Sequence, residues 1–406
     1  MVAHEHGKAL KQRVSLLLGK GRTVMDSEVS QRAAGLDSLL FDICEEMQLT
    51  ATQHQKAVDR YGAIARTLDG ANSPFNQIES NLYPQGSMRL GTTVKPIDGP
   101  HDLDFVCEFN LSHLAVDPMG LLNAMYKFFS EHGVYGGMVE PKNRCVRIVY
   151  KDEFYLDILP ACRDDRNGGT CIQVPDRDLR SWTPSNPLTY AAWFENATRH
   201  VLVQKPSFRT RAMDKAASVQ PIPALEAAEE KTVLQLAVQL MKRWRDIHYA
   251  DSTFPPISVV LTTLAAGIYQ GEASLSEALL QILNQIVILL DEAAAMGRRI
   301  QVRNPAHRAE DFSERWNDNP RAYSEFNSGI RKFAVAWQAV CAGPGRPDRE
   351  LERLFGEVVN PALVKQAARL QEVRERGGLG ISGSGRIVPV AAALTPMLRN
   401  TNHGKA

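Results

Sequence analysis

The stretch "YPQGSMRLGTTVKPIDGPHDLDF", residues 83–105, places a Gly-Ser pair upstream of two aspartates one residue apart, and a third aspartate follows in "FYLDILPA", residues 154–161. In a strand successive side chains alternate faces. Asp102 and Asp104 then share one face, with Leu103, Phe105 and Cys107 on the other. In a second strand over Phe154–Leu159, Asp157 falls with Tyr155 and Leu159, and Phe154, Leu156 and Ile158 point the opposite way. If the two strands are neighbours, their apolar faces bury together and Asp157 joins the other two acids on the open face.

Three gathered carboxylates stay ionised only beside compensating cations. Hard divalent ions with oxygen ligands suit them, Mg²⁺ above all where phosphates complete the shell. Two such ions about 3.5–4 Å apart can activate an attacking hydroxyl and stabilise a leaving oxygen. The D-x-D pattern alone is short and common, and it also describes solvent-facing strand residues. The Gly-Ser pair adds to it. Gly86 permits a tight turn, and a short helical turn over Ser87–Leu90 would point free N–H groups outward, where phosphate binds. The Ser87 hydroxyl adds a donor. Turn, paired acids and a later third acid are together far more specific than any one of them.

These residues need elements to position them. Residues 26–70 read as helical, with Val29, Ala33, Leu36, Leu39, Leu40, Ile43 and Met47 at helical spacing and a second stretch over Thr52–Leu68. From Ser80 the texture changes to short β-branched and aromatic runs, Asp102–Phe109, Cys145–Tyr150 and Phe154–Leu159, which read as strands. Lys151-Asp152-Glu153 predicts a hairpin between the last two, and Pro118–His132 predicts a helix. Glycine and proline punctuate Arg166–Pro187, and Lys205–Glu230 reads as a polar connection.

From Lys231 onward the pattern is helical. Lys231–Tyr249 carries a buried stripe of Val233, Leu234, Leu236, Ala237, Leu240, Met241, Trp244 and Ile247, bordered by Gln235, Gln239, Lys242 and Asp246. Ser274-x-x-Glu277 reads as a capping box opening a helix to about Met296. Another helix runs from about Ala322 to Ala342 and is stopped by Gly343-Pro344-Gly345, and Leu351–Arg376 reads as one more. The end, from Gly377, is glycine- and serine-rich with a modest apolar patch. The order is helix, then mixed α/β, then all helix.

With 406 residues, the chain allows two or three structural units. Its 47 basic and 46 acidic residues give no field suited to coating nucleic acid, but leave room for a small anion in a local site. The six cysteines form no C-x-x-C pair, and no zinc site or disulfide framework is expected. His4 and His6 read as a solvated terminus. No signal peptide and no run of about 18 apolar residues is found, so no membrane span and a cytoplasmic location are expected.

"QGSMRLGTTVKP", "DLDFV" and "FYLDILPA" together resemble the catalytic signature of the DNA polymerase beta-like nucleotidyltransferase superfamily, and more closely that of the bacterial cGAS/DncV-like nucleotidyltransferases (CD-NTases). The resemblance is strong over Ser80–Ala161 and continues more weakly through "LMKRWRD", "PISVVLTTLAA" and "NPAHRAEDFSERW". It implies an α+β bilobal fold: a mixed β-sheet catalytic lobe with flanking helices, and an α-helical C-terminal lobe. The expected divisions are helices bracing both lobes over residues 1–79, a catalytic core over 80–215, a helical domain over 216–376 and a flexible tail over 377–406.

By the same resemblance, Asp102, Asp104 and Asp157 hold two Mg²⁺ ions, Mn²⁺ being an alternative, and Gly86, Ser87, Lys242 and Ser258 bind donor phosphates. Asp157 and metal would activate a ribose hydroxyl, so His101 reads as a strand-edge residue rather than the base. The implied reaction joins nucleoside triphosphates, ATP, GTP or others, into a cyclic di- or trinucleotide messenger of anti-phage defence, releasing pyrophosphate. A monomer is expected. The animal enzyme's base-stacking tyrosine is replaced by Val259, which leaves base preference open, and its zinc module is missing, so DNA activation is not implied. Arg209, Arg211 and Lys215 read as a solvated basic loop. A ubiquitin-transfer-like enzyme acting on Ala406 is a partner that some relatives would suggest, beside a simply disordered tail. Two other readings stay open: a linear nucleotidyltransferase acting on RNA ends or a small molecule, and a nucleotide-binding regulator without turnover.

Overall fold

The computed structural model describes residues 34–151, 153–199, 218–343, 347–375, 379–381, 387–389 and 395–396. His4, His6, Arg209, Arg211, Lys215 and Ala406 lie outside them. The chain divides into two units, one of residues 47–344 and one of 1–46 with 345–406.

In the smaller unit, helix α1 covers residues 34–46. In the larger unit Thr50 caps the following helix, α2 (Ala51–Leu68), through a capping box with Gln53. The break between the two helical stretches read over 26–70 falls here, because the Thr50 hydroxyl captures a backbone N–H and holds its own backbone extended.

The larger unit is built on an eight-stranded mixed sheet. Its strands are β1 (Ser80–Pro84), β2 (His101–Ser112), β3 (Val139–Pro141), β4 (Val146–Tyr150), β5 (Phe154–Arg163), β6 (Ile172–Asp176), β7 (Ser181–Ser185) and β8 (Ser218–Val219). The spatial order is β3-β4-β5-β2-β1-β8, with β6 extending from β5 and β7 from β6. The two predicted acid-bearing strands, β2 and β5, are neighbours and run parallel. β4 and β5 form the predicted hairpin, closing at Tyr150 opposite Phe154. Short helix α3 (Gly86–Arg89) follows β1.

One face of this sheet is deeply covered. Leu103, Phe105, Cys107 and Phe109 of β2 join Leu156 and Ile158 of β5, Tyr61 and Ile64 of α2, and Leu122, Met125 and Phe129 of α4 (Pro118–Glu131). Tyr61 stacks on Phe105 with centroids 4.5 Å apart. Each such side chain taken from water contributes about 1.5–3 kcal/mol, so alternation fixes which face turns inward. On the other face the acids come first along β2. Farther on, Val106 packs with Tyr83, Ala161, Ile172 and Val174. β6, β7 and α5 (Pro187–Thr198) occupy the region read as glycine- and proline-punctuated. Pro175 and Pro184 lie inside paired strands there and masked the pattern.

The helical part of this unit comprises α6 (Val233–His248), α7 (Ser258–Ile268), α8 (Leu275–Ala295), α9 (Arg315–Asp318) and α10 (Pro320–Ala342), with a small hairpin of β9 (Arg303–Asn304) and β10 (His307–Asp311). Ser274 caps α8 by accepting from the Glu277 N–H, and Gly343, at φ 73°, ends α10. α8 is long and apolar enough, by length and composition, to cross a membrane, although Gln281, Asn284 and Gln285 interrupt its apolar residues. Here Leu279, Ile282, Leu283, Ile286 and Leu290 are buried in protein. Its polar residues sit on the other side, where Asn284 meets Gln338 and Asp291 meets Arg331, both from α10.

The smaller unit pairs α1 with α12 (Val359–Glu375) through Asp42–Arg369 and through Glu45 and Glu46 to Lys365. Gly356, at φ 74°, separates α12 from α11 (Pro347–Phe355), so the single helix predicted over Leu351–Arg376 is two. Within the region predicted to be a flexible tail, β11 (Leu379–Ile381) pairs with β12 (Ile387–Pro389) and β13 (Thr395–Pro396).

Candidate active site

The parallel register of β2 and β5 sets Asp104 beside Asp157, and Asp102 two residues earlier shares their face. The three predicted acids are therefore brought together on one patch of sheet. Burial pushes the Asp104 carboxyl up to about 7, the Asp157 and Asp102 charges add to the rise, and Lys242 and Arg147 oppose it. Asp102 keeps 64% of its side chain exposed. Its carboxyl is also raised, first by the protein around it, against the pull of Arg147.

The Gly-Ser turn lies against these acids. β1 pairs with β2 so that Pro84 meets Phe105, and the Gln85 N–H donates to the Asp104 carbonyl at 2.9 Å. Gly86 follows at φ 58°, and a Cβ there would stand 2.8 Å from Asp104 Oδ2. Only glycine lets the backbone take this conformation so close to a carboxylate. Gln85 makes no side-chain cap, so the leading N–H groups of α3 remain available to an anion. Ser87 is half-buried, and its Oγ accepts from Thr93 Oγ1 at 3.3 Å.

α6 grips the loop that follows. Its side chains, with Lys231 just ahead of it, donate to backbone carbonyls in a row: Gln235 to Leu90 at 3.0 Å, Lys231 to Gly91 at 2.7 Å, Lys242 to Thr92 at 3.1 Å, Gln239 to Thr93 at 2.6 Å and Arg243 to Lys95 at 2.7 Å. Gln235, Gln239 and Lys242 belong to the polar border noticed in the sequence, whereas Lys231 and Arg243 do not, and Gln239, Lys242 and Arg243 are buried. Lys242 Nζ also bonds Thr92 Oγ1 at 3.0 Å, and burial pushes its amine down to about 7. The family resemblance has Lys242 binding donor phosphates. In the structure its amine faces the loop, and its charge still reaches Asp104. Ser258, half-buried at the start of α7, accepts from Arg245 Nη1.

Two residues missed in the sequence reading belong here. Arg245, one turn after Lys242, is engaged by Ser258 and Asp246, and its charge acts on Asp102. Arg147 of β4 stands opposite Asp157 in the hairpin. Its Nε and Nη2 donate to the two Asp157 oxygens at 2.7 and 2.8 Å, and Nη2 also reaches Asp102 at 3.2 Å. A signal for it was present: a hairpin closing at Tyr150–Phe154 sets Arg147 against Asp157. His101 takes the face opposite the acids. It is buried, its Nε2 lies 3.2 Å from the Gln53 amide, and burial lowers its ring to about 4. It is neutral near pH 7 and turned away from the site, at the start of an interior strand.

Among the described residues no three His, Cys, Asp or Glu side chains already converge as a metal cage. The donor set nonetheless fits a hard divalent cation: three carboxylates on one face, with a guanidinium drawn in as their counter-charge. All six cysteines are free.

A mixed sheet bearing such acids beside a Gly-Ser turn defines the nucleotidyltransferase class. Residues 36–197 match the family described as the Second Messenger Oligonucleotide or Dinucleotide Synthetase domain. A c-di-GMP synthase of Roseivirga ehrenbergii is 30% identical over 376 residues, covering 91% of this chain and 97% of that protein. The cyclic dinucleotide synthase CdnG of Bradyrhizobium diazoefficiens is 28% identical, covering 91% and 95%. The solved structure of that CD-NTase in complex with GTP superposes with a TM-score of 0.66, at 25% identity, over 82% of this chain and 98% of the other. The chain belongs to the bacterial CD-NTase family and is a nucleotidyltransferase.

Proposed function

We propose that this protein condenses two nucleoside triphosphates, GTP foremost, into a cyclic dinucleotide with release of two pyrophosphates, as a messenger in anti-phage defence. The observation that carries the reading is the parallel register placing Asp104 beside Asp157, with Gly86 held against Asp104. Two full-length relatives named for cyclic dinucleotide synthesis support it, and the solved GTP complex of one of them supports guanine as a substrate base.

The Gly86-Ser87 turn receives the donor triphosphate through its N–H groups and hydroxyl, and the α6 clasp fixes that turn in place. Arg245 and Ser258 add donors from the facing helices, and Lys242 acts through the loop it holds. A ribose hydroxyl of the acceptor attacks the donor α-phosphorus. A phosphorus–oxygen bond forms, the bond to pyrophosphate breaks, and Asp157 is placed to take the hydroxyl proton. A second, intramolecular round closes the ring. Asp102, Asp104 and Asp157 would hold divalent metal, two Mg²⁺ or Mn²⁺ ions, which would supply charge neutralisation and a lowered hydroxyl pKa.

The test is incubation with labelled nucleotides singly and in mixtures, with Mg²⁺ or Mn²⁺, followed by phosphatase. A phosphatase-resistant product from GTP, absent with D157N, is expected. A product that loses terminal phosphate throughout would replace this reading with a linear transferase.

A further inference from the structure

The mechanism above leaves one charged group of the site unused. β4 reads Val146-Arg147-Ile148-Val149-Tyr150, and alternation sends Val146, Ile148 and Tyr150 into the core. Arg147 is left on the acid-bearing face, opposite Asp157 in the register. Its guanidinium is fixed from several sides. A fork of 2.7 and 2.8 Å engages both Asp157 oxygens, a third bond of 3.2 Å reaches Asp102, and the group lies over the Tyr155 ring at 4.5 Å from its centroid. Planar, bidentate, charge-assisted pairs of this kind are the strong ones. The Arg147 side chain is 20% exposed and that of Asp157 11%, so solvent screens the pair little.

Both Asp157 oxygens accept from Arg147, together with one of Asp102. These are two of the three acids that a divalent ion would use. The fork covers the bidentate edge of Asp157, and a divalent ion entering beside it meets the repulsion of a second cation. We propose that Arg147 is the resident counter-cation of this carboxylate patch: it holds Asp157 and Asp102 aimed and mutually shielded, and metal loading proceeds by displacing its fork. The inference rests on the metal-dependent reading above. It follows from charge. Three neighbouring carboxylates without a cation repel one another and lose their aim, and a guanidinium from the next strand supplies that cation inside the fold. Divalent ion replaces it with twice the charge but must first break the fork, so the resting site binds free metal more weakly than its carboxylates alone would. Tyr155 gives the released guanidinium a ring face to stay on, beside the place where triphosphate charge arrives.

The test measures Mn²⁺ binding to the full-length protein by electron paramagnetic resonance, without nucleotide, in wild type, R147M and R147K. R147M removes the cation and keeps the bulk. R147K keeps the charge and removes the fork. The expected order of Mn²⁺ affinity is R147M, then R147K, then wild type. The first should exceed the last by about ten-fold or more, the scale of one strong charge-assisted pair. A residue that only braced the strand would, when replaced, weaken metal binding or leave it unchanged, and either result for R147M overturns the proposal. Equal affinities for R147K and wild type overturn the fork, leaving only bulk charge. Absence of Mn²⁺ binding in all three proteins, with GTP present as well, overturns the metal reading and this proposal together. Should a variant fail to fold, wild type alone decides. The Arg147 Nε–H resonance, held by Asp157, should shift when Mg²⁺ is added and stay in place with Na⁺; a resonance indifferent to Mg²⁺ overturns the displacement.

Discussion

Asp104 carries a cost as well as a role. Burial and two neighbouring carboxylates raise its pKa to about 7, well above the ordinary carboxylate value. Between the unfolded and folded values the native chain therefore binds a proton that the unfolded chain has released. This contribution is favourable at low pH and is lost as pH rises through about 7. Without metal near pH 8 the ionised Asp104 destabilises the fold, on the order of a few kcal/mol. We expect D104N in EDTA to melt above wild type at about pH 8, and the gap to close toward about pH 4. A wild type that melts above D104N at the higher pH would refute this electrostatic account. Both the acids and Gly86 were legible as residue types in the sequence. Arg245 was not: its partner Ser258 lies thirteen residues on, in a different helix.

At the scale of elements, α6 couples the helical half of the larger unit to the Gly-Ser turn through carbonyl contacts at Leu90, Thr92, Thr93 and Lys95, and Lys231 just ahead of it adds Gly91. Backbone carbonyls carry no residue identity, and so a polar stripe beside the apolar one was visible in the sequence while its target was not. Replacing Gln239 by leucine removes a bond to Thr93 and two with Gln48. The expected result is faster amide hydrogen exchange over residues 90–95 and a KM for the donor raised several-fold, about 1 kcal/mol in binding, with little change in Tm. Exchange unchanged at those amides would show that the clasp does not hold the loop. Farther along α10, Gly329 lets the helix approach the Tyr249 hydroxyl and ring, while Trp244 stacks on Phe333 at 4.5 Å. G329A should cost about 1–3 kcal/mol by overpacking, read as a lower midpoint in urea; an unchanged midpoint would mean that the helices can separate freely there. Strands β6 and β7 stayed illegible because their prolines imitate a loop, whereas β2 and β5 announced themselves through alternation around the acids.

Across the whole molecule, the parallel pairing of β2 with β5 joins residues more than forty positions apart, with α4, β3 and β4 between them. Composition and periodicity gave the succession of helical and mixed regions. The grouping of residues 1–46 with 345–406 was out of reach, since it depends on contacts between the two ends of the sequence. The same long separation has a temporal consequence. A chain still emerging from the ribosome with β1 to β4 made owns two aspartates and the arginine, but neither the third aspartate nor the α6 side chains that grip residues 90–95. On the proposed reaction such an incomplete chain makes no cyclic dinucleotide. The set of groups at the site is complete only once synthesis has passed α6, which ends at His248.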